Sequence, residues 1–208
     1  MYTLYGSKGA GSTTIEALLE LLGETCTFEE AAPWEEGPAL ERLRTVNPLV
    51  QVPTLILPDG TVMTESAAMI FALLDRHPDA RLMPPPGDAA RPLFFRWVTF
   101  LAGSLYPMYT IGDYPERWVD DPAAQAQLKQ ASVARIQRCW QILEESLRPA
   151  PYLLGADLTA LDVYAAMISH WRPGRAWVNA SCPRVAGALE QAESHPTVAR
   201  VWKRNFGK

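Results

Sequence analysis

One segment of the sequence contains residue types that could bind an anion. Glu65 and Ser66 follow a short strand-like stretch and precede an apolar helical pattern, so we expect them at the start of a helix. There the serine hydroxyl and the free N–H groups of the first helical turn can donate to a carboxylate. A plain helix cap with an acidic residue in the first turn would use the same residues, and it is compatible with ligand binding.

A second such segment is the dipeptide Val52-Pro53, which lies within residues 47–55 (NPLVQVPTL). A cis X-Pro bond costs only about 0.5–1 kcal/mol, and it would turn the strand so that backbone N–H and C=O groups face a ligand as an unpaired sheet edge does. We therefore predict a cis bond between Val52 and Pro53. The alternative is a proline that merely begins or bends an edge strand.

The turn after the first predicted strand, residues 5–12 (YGSKGAGS), carries hydroxyl groups but no cysteine. Disulfide exchange requires a thiolate at the start of the following helix, so we exclude that chemistry at this turn. Three hydroxyls are candidates for stabilising a bound anion: Ser12, which we predict at the N-cap of the first helix, Tyr5 and Ser7. Ser12 could instead be a cap only, and Tyr5 a buried core aromatic.

Composition and charge exclude several classes of function. The chain has 19 Lys and Arg against 23 Asp and Glu, a net charge of −4, so it lacks the basic field that nucleic-acid binding needs. The three cysteines and three histidines are scattered, without the spacing of a zinc site, so we predict no metal. The longest apolar run, residues 67–74, is far shorter than the roughly 20 residues that span a bilayer. We expect a cytoplasmic protein that binds neither nucleic acid nor membranes.

A proline-rich stretch, residues 84–87 (PPPG), divides the chain into two patterns. Before it, strand and helix patterns alternate as βαβα and then ββα, whereas after it the patterns are helical. We predict an α/β domain over 1–80, a linker over 81–88 and an all-helical domain over 89–208. The predicted strands span 2–5, 25–30, 52–57 and 61–64; the predicted helices span 15–22, 40–45, 65–76 and 121–147, with others beginning near 159, 183 and 196.

Residues 47–55 (NPLVQVPTL) together with residues 64–68 (TESAA) make the chain resemble the cytosolic glutathione transferase family over nearly its whole length. The resemblance implies a thioredoxin-like N-terminal domain followed by an all-helical C-terminal domain. It implies glutathione as a substrate, with Gln51, Val52 and Pro53 among the binding residues and the backbone of Val52 facing the cysteinyl part. Glu65 and Ser66 would hold the ammonium and the carboxylate of the γ-glutamyl end.

The resemblance also implies that the nucleophile is the thiol of glutathione. Its unperturbed pKa is close to that of cysteine, about 8.5, so only about 3% is thiolate at pH 7. A hydroxyl that donates to sulfur and the positive end of the first helix would both lower this pKa. By resemblance the activating residue is Ser12 or, as in the tyrosine classes, Tyr5, with Ser7 as a third candidate. The thiolate would add to an electrophilic, largely apolar molecule.

The helical region contributes further expectations. Tyr106, Met108 and Tyr109 could line an apolar cosubstrate pocket, although helix packing or a dimer contact would explain them equally well. Thr159 and Asp162 resemble the family's capping box at the start of its central buried helix. The family implies a homodimer. Two other functions stay open: a non-catalytic interaction protein on the same scaffold, and a glutathione-dependent isomerase or peroxidase.

Overall fold

The computed structural model describes residues 1–207 as two compact units. The first unit contains Met1–Pro85 together with the residues from Ala192 onward, and the second contains Pro86–Gln191. The sequence predicts one helical domain over 89–208, whereas the last helix belongs to the first unit. Helical periodicity shows which face of a helix is apolar and does not show which unit that face packs against.

The first unit is built on a mixed four-stranded sheet, which confirms the predicted thioredoxin-like α/β fold. Its elements up to the linker are β1 (Tyr2–Gly6), α1 (Ser12–Leu21), β2 (Cys26–Glu30), α2 (Pro38–Val46), β3 (Thr54–Ile56), β4 (Val62–Met63) and α3 (Ser66–Arg76). The strand order is β2-β1-β3-β4. β1 pairs parallel with β2 and antiparallel with β3, and β3 pairs antiparallel with β4.

Side chains of β1 alternate between the two faces of the sheet. Leu4 is completely buried on one face. Tyr5 points to the other face, where it packs with Leu40 and Leu43 of α2. β3 begins two residues later than predicted, because Pro53 has no N–H with which to join the hydrogen-bonded ladder.

The second unit is helical. The helices after the linker are α4 (Arg91–Phe100), a π-helical turn (Leu101–Leu105), α5 (Tyr106–Asp113), α6 (Pro122–Ser146), α7 (Ala160–Ser169), α8 (Arg175–Ser181) and α9 (Pro183–Ser194); α10 (Pro196–Phe206) follows and belongs to the first unit. α8 was not predicted, because seven residues with Val178 as their buried side chain provide too little periodicity.

All ten residues of α7 are buried, and the predicted capping box is present at its start. Asp162 accepts hydrogen bonds from the N–H of Thr159 at 2.9 Å, the hydroxyl of Thr159 at 2.7 Å and the N–H of Leu153 at 2.7 Å. Burial nevertheless raises the pKa of Asp162 to about 6. The carboxyl group therefore joins the start of α7 to the preceding loop.

None of the helices in residues 1–207 is both long enough and apolar enough to cross a membrane. No cluster of three or more His, Cys, Asp or Glu side chains in the same residues could hold a metal ion.

Candidate functional site

The pairing of β1 with β3 brings the first turn and the Val52 loop to the same end of the sheet. Tyr5 and Thr54 are paired at the end of this ladder. Because the strands are antiparallel, the chain leaves β1 toward Ser7 at the end of the sheet where the loop that contains Val52 enters β3. The loop after β1 and the loop before β3 therefore lie side by side at one end of the sheet.

The pairing of β3 with β4 brings the start of α3 to the same end of the sheet. Leu55 pairs with Met63, so the chain leaves β4 toward Glu65 at the same end of the sheet where Pro53 precedes β3. The Val52–Pro53 peptide bond is cis, as predicted. The three segments singled out in the sequence thus converge, and we call residues 7–12, 50–53 and 65–66 the sheet-end site.

Glu65 has a backbone conformation that is costly for a residue with a side chain. Its φ of 63° and ψ of 105° lie away from the left-handed helical minimum, and such positions cost about 1–3 kcal/mol. Glu65 is the N-cap of α3, yet its side chain makes no capping hydrogen bond. The carboxylate is exposed, and no described residue pairs with it. The helix therefore gains no capping hydrogen bond from this side chain, and a strained backbone without such a local partner is typical of a ligand-binding position.

Asn47 holds the loop that leads to Val52, and sequence reasoning did not assign it this role. Its amide oxygen accepts the N–H of Leu49 at 3.0 Å, and its amide nitrogen donates to the carbonyl of Gln51 at 3.1 Å and the hydroxyl of Thr54 at 2.9 Å. Within this loop Val50 has a φ of 51°, which β-branched residues rarely adopt. The position of an asparagine directly before a proline was the available signal, since such pairs begin turns.

Ser12 is completely buried, and its hydroxyl is occupied by the chain itself. Its Oγ accepts the N–H of Ser7 and donates to the carbonyl of Ser7, both at 3.1 Å. The packing is tight, because a Cβ at Gly6 would lie 2.5 Å from the Cβ of Ser12. The predicted cap was wrong: Gly11 is the N-cap of α1, and Ser12 is its first residue. The single proton of Ser12 goes to Ser7, so this geometry leaves none to donate to a bound thiol.

The other two hydroxyl candidates have different surroundings. Tyr5 is 7% exposed among the apolar side chains of α2, and its phenol interacts with the guanidinium of Arg42. Ser7 lies in the first turn of the sheet-end site, and no residue in the described part of the chain forms a hydrogen bond with its hydroxyl. Of the two serines in this turn, Ser7 is therefore the one whose hydroxyl proton is not taken up by the chain itself.

Two of the three predicted pocket residues pack on Trp171 within the second unit. The rings of Tyr106 and Tyr109 meet the ring of Trp171 edge-on, with centroids 5.0 and 5.1 Å apart. Met108 is half-buried on the same helix, α5. Burial raises the pKa of Tyr109 above its ordinary value. Trp171 was missed because it lies in an irregular segment after α7, where no periodic pattern marks it.

The π-helical turn Leu101–Leu105 sets the position of Tyr106. The N–H of Tyr106 bonds to the carbonyl of Leu101, five residues earlier. Pro107 explains the wider turn, because its ring would clash with the carbonyl of Gly103 in a regular α-helix. Single π-helical turns are frequent at functional sites.

Comparison with known proteins identifies relatives along the whole chain. The family model "Glutathione S-transferase, N-terminal domain" matches residues 12–76. The uncharacterized GST-like protein YncG of Escherichia coli (strain K12) is 37% identical over 206 residues, which cover 99% of this chain and 98% of that protein. The glutathione S-transferase GstA of Escherichia coli O157:H7 is 31% identical over 129 residues, 61% of this chain and 59% of GstA.

Solved structures share the fold. A crystal structure of a glutathione transferase homologue from Sulfitobacter with bound glutathione has a TM-score of 0.86 to this chain and covers 98% of both chains. A glutathione S-transferase from a sphingomonad, complexed with glutathione, has a TM-score of 0.80 with the same coverage. Both are 22% identical in sequence, so the likeness concerns the fold.

Proposed function

Because this chain belongs to the glutathione S-transferase family, we propose that it binds glutathione at the sheet-end site and transfers it to an electrophilic, largely apolar small molecule. The observation that carries the proposal is Glu65, whose backbone is held at a φ of 63° while its exposed carboxylate pairs with no described residue. An ammonium group on a ligand would account for both features.

The chemistry of glutathione matches the three segments of the site. Its γ-glutamyl end carries an ammonium, which the Glu65 carboxylate attracts, and a carboxylate, which the N-terminus of α3 and Ser66 favour. The backbone of Val52 is the strand edge that takes the cysteinyl part, with Gln51 and Pro53 on either side. No metal takes part in this proposal.

We assign activation of the thiol to Ser7 rather than to Ser12. The pairing of β1 with β3 supports this, because Ser7 follows β1 at the same end of the sheet as the loop of Val52, where the cysteinyl part would bind. One hydrogen bond to a charged sulfur contributes about 1.5–3 kcal/mol, which corresponds to about one to two pKa units. That shift raises the thiolate fraction at pH 7 from about 3% to about a quarter or more. Ser12 supports this role by holding the backbone of Ser7.

We propose that Tyr106, Met108 and Tyr109 bind the electrophile, together with Trp171, whose ring packs on both tyrosines. Edge-on aromatic rings form an apolar surface that favours flat, apolar groups. We also propose a cytoplasmic homodimer. Sedimentation at micromolar concentration tests the dimer, and a monomer as the sole species would contradict it.

Calorimetric titration with glutathione tests the binding proposal. Glu65→Gln removes the charge with little change of shape, so we expect a dissociation constant roughly 10- to 150-fold higher. Asp75→Asn is the matched control, because Asp75 is also acidic and exposed but lies at the other end of α3. Equal affinity of the wild type and Glu65→Gln would contradict the proposal.

The pH titration of the thiolate absorbance of bound glutathione tests the catalytic part. We expect Ser7→Ala to raise the pKa of the bound thiol and to slow conjugation of a nitroaryl chloride, with Tyr5→Phe close to the wild type. The reverse result would assign activation to Tyr5. Binding of glutathione without turnover of any electrophile would favour the non-catalytic interaction protein. Turnover only of isomerisable or peroxide substrates would favour a glutathione-dependent isomerase or peroxidase.

A further inference from the structure

The last helix, α10, runs antiparallel to α1 and ends beside the first turn of the sheet-end site. Arg200 pairs with Glu20 at 2.9 Å, and one turn later Arg204 pairs with Glu16 at 2.8 Å. Both arginines are about half exposed, so each ion pair adds little to stability. Their order nevertheless shows that the C-terminal end of α10 lies against the N-terminal end of α1.

Asn205, at this end of α10, joins three parts of the first unit. Its amide oxygen accepts the N–H of Gly9 at 3.2 Å and the hydroxyl of Thr13 at 3.0 Å. Its amide nitrogen donates to Glu16 at 2.8 Å and to the carbonyl of Val201 at 3.1 Å. One side chain therefore connects the loop after β1, the first turn of α1 and the body of α10.

Gly9 is the point of this loop that α10 contacts directly. Its φ of +71° is a conformation that glycine adopts without cost, but glycine is also the residue with the greatest backbone freedom. A Cβ at Gly9 would lie 3.5 Å from the ring of Phe206 and 3.6 Å from the carbonyl oxygen of Asn205, so α10 passes directly beside it. Inside the loop the N–H of Ala10 bonds to the carbonyl of Ser7 at 3.1 Å.

We propose that Asn205 is a positioning residue of the sheet-end site. By holding Gly9 and Thr13 together, it keeps the loop from Ser7 to Gly11 in the shape in which the Ser7 hydroxyl and the start of α1 face a bound thiolate. The effect of Asn205 on a bound thiolate rests on the proposed function. Its restraint of the loop does not, because that restraint is inferred from the contacts of Asn205 alone. The two parts therefore need separate measurements.

Hydrogen exchange of the ligand-free protein tests the restraint. In Asn205→Ala we expect the amides of residues 7–13 to exchange roughly 10-fold faster than in the wild type. Arg204→Ala is the matched control, since it removes the neighbouring ion pairs and leaves the Asn205 amide in place. Thr13→Val removes one of the two donors to the amide oxygen and should give a smaller acceleration. Unchanged exchange in Asn205→Ala would overturn the proposal.

Kinetics with glutathione test the consequence. We expect Asn205→Ala to raise the pKa of the bound thiol and to lower kcat roughly 5- to 50-fold, with KM for glutathione changed less than about 3-fold. A merely structural role would lower the melting temperature and leave the thiol pKa unchanged, and that result would overturn the positioning role. If the wild type does not bind glutathione, the proposed function fails while the exchange measurement still decides the restraint.

Discussion

The hydroxyl of Ser12 and the backbone of Ser7 form a closed pair of hydrogen bonds, each 3.1 Å long. The first residue of α1 therefore holds both the N–H and the carbonyl of a residue five positions earlier. A serine whose place in the sequence predicts catalysis is in this structure a residue that shapes the loop. The hydroxyl that the loop leaves available belongs to Ser7 instead.

The first prediction follows from this pair. Ser12→Ala leaves the N–H of Ser7 without its partner, so we expect the free energy of unfolding to fall by about 1–3 kcal/mol. Thr14→Val is the control, because the Thr14 hydroxyl is equally buried on α1 but has no partner among residues 1–207. We expect that change to be neutral or slightly stabilising. Urea denaturation measures both variants, and a Ser12→Ala protein as stable as the wild type would contradict the assignment.

The second prediction concerns Asn47. Asn47→Asp keeps an oxygen for the N–H of Leu49 but cannot donate to Gln51 or to Thr54. We expect the loop before β3 to loosen and glutathione binding to weaken by about 1–2 kcal/mol, roughly 5- to 30-fold. Thr45→Ala is the control, because its exposed hydroxyl bonds only within α2. Calorimetry that finds the same affinity in both variants would show that Asn47 does not support binding.

The third prediction is a pH dependence of stability caused by Asp162. Its pKa is about 6 in the folded chain, against an ordinary value of 3.8. Between these two pKa values the folded state keeps the carboxyl proton that the unfolded state loses. The contribution of Asp162 to the free energy of unfolding is therefore complete below pH 3.8 and is lost as pH rises through 6. We expect this contribution to fall by roughly 3 kcal/mol in total over that range.

Urea denaturation of the wild type and Asp162→Asn at several pH values isolates the effect of Asp162. The variant cannot titrate at this position, so the stability of the wild type relative to the variant should decrease between pH 4 and pH 6. A difference that stays constant, or that grows with pH, would mean that the three hydrogen bonds to the carboxylate outweigh its burial.

The fourth prediction tests a close contact between α5 and α6. A Cβ at Gly112 would collide with the hydroxyl of Ser132, so Gly112→Ala should cost about 1–3 kcal/mol of unfolding free energy. Adding Ser132→Ala removes the colliding atom and should restore most of the loss. Gly187→Ala is the control, because that helical glycine has open space around it and should gain about 0.5–1 kcal/mol. Thermal or urea unfolding of Gly112→Ala, of the double variant with Ser132→Ala and of Gly187→Ala measures these three changes in stability.

Short-range patterns were sufficient for much of this fold. The spacing of apolar residues and the turn residues between them predicted the strands and most helices, and the start of α3 at Glu65 and Ser66 was predicted from a polar pair before an apolar run. The capping box of Thr159 and Asp162 was predicted for the same reason, since its partners lie three residues apart. Such features depend on neighbours in the chain, so composition and spacing contain the necessary information.

The folded arrangement of the chain decided the rest. Ser12 has the same local sequence whether it caps a helix, activates a ligand or holds Ser7, and only the hydrogen bonds that its hydroxyl makes in the folded turn distinguish these roles. Asn205 contacts Gly9 across 196 positions, and no spacing rule connects residues that far apart. The backbone strain at Glu65 is likewise maintained by the surrounding tertiary structure. The sequence by itself determined which elements form, whereas the tertiary structure decided which side chains keep a hydrogen-bonding group available for a ligand, because that depends on partners brought together only by folding.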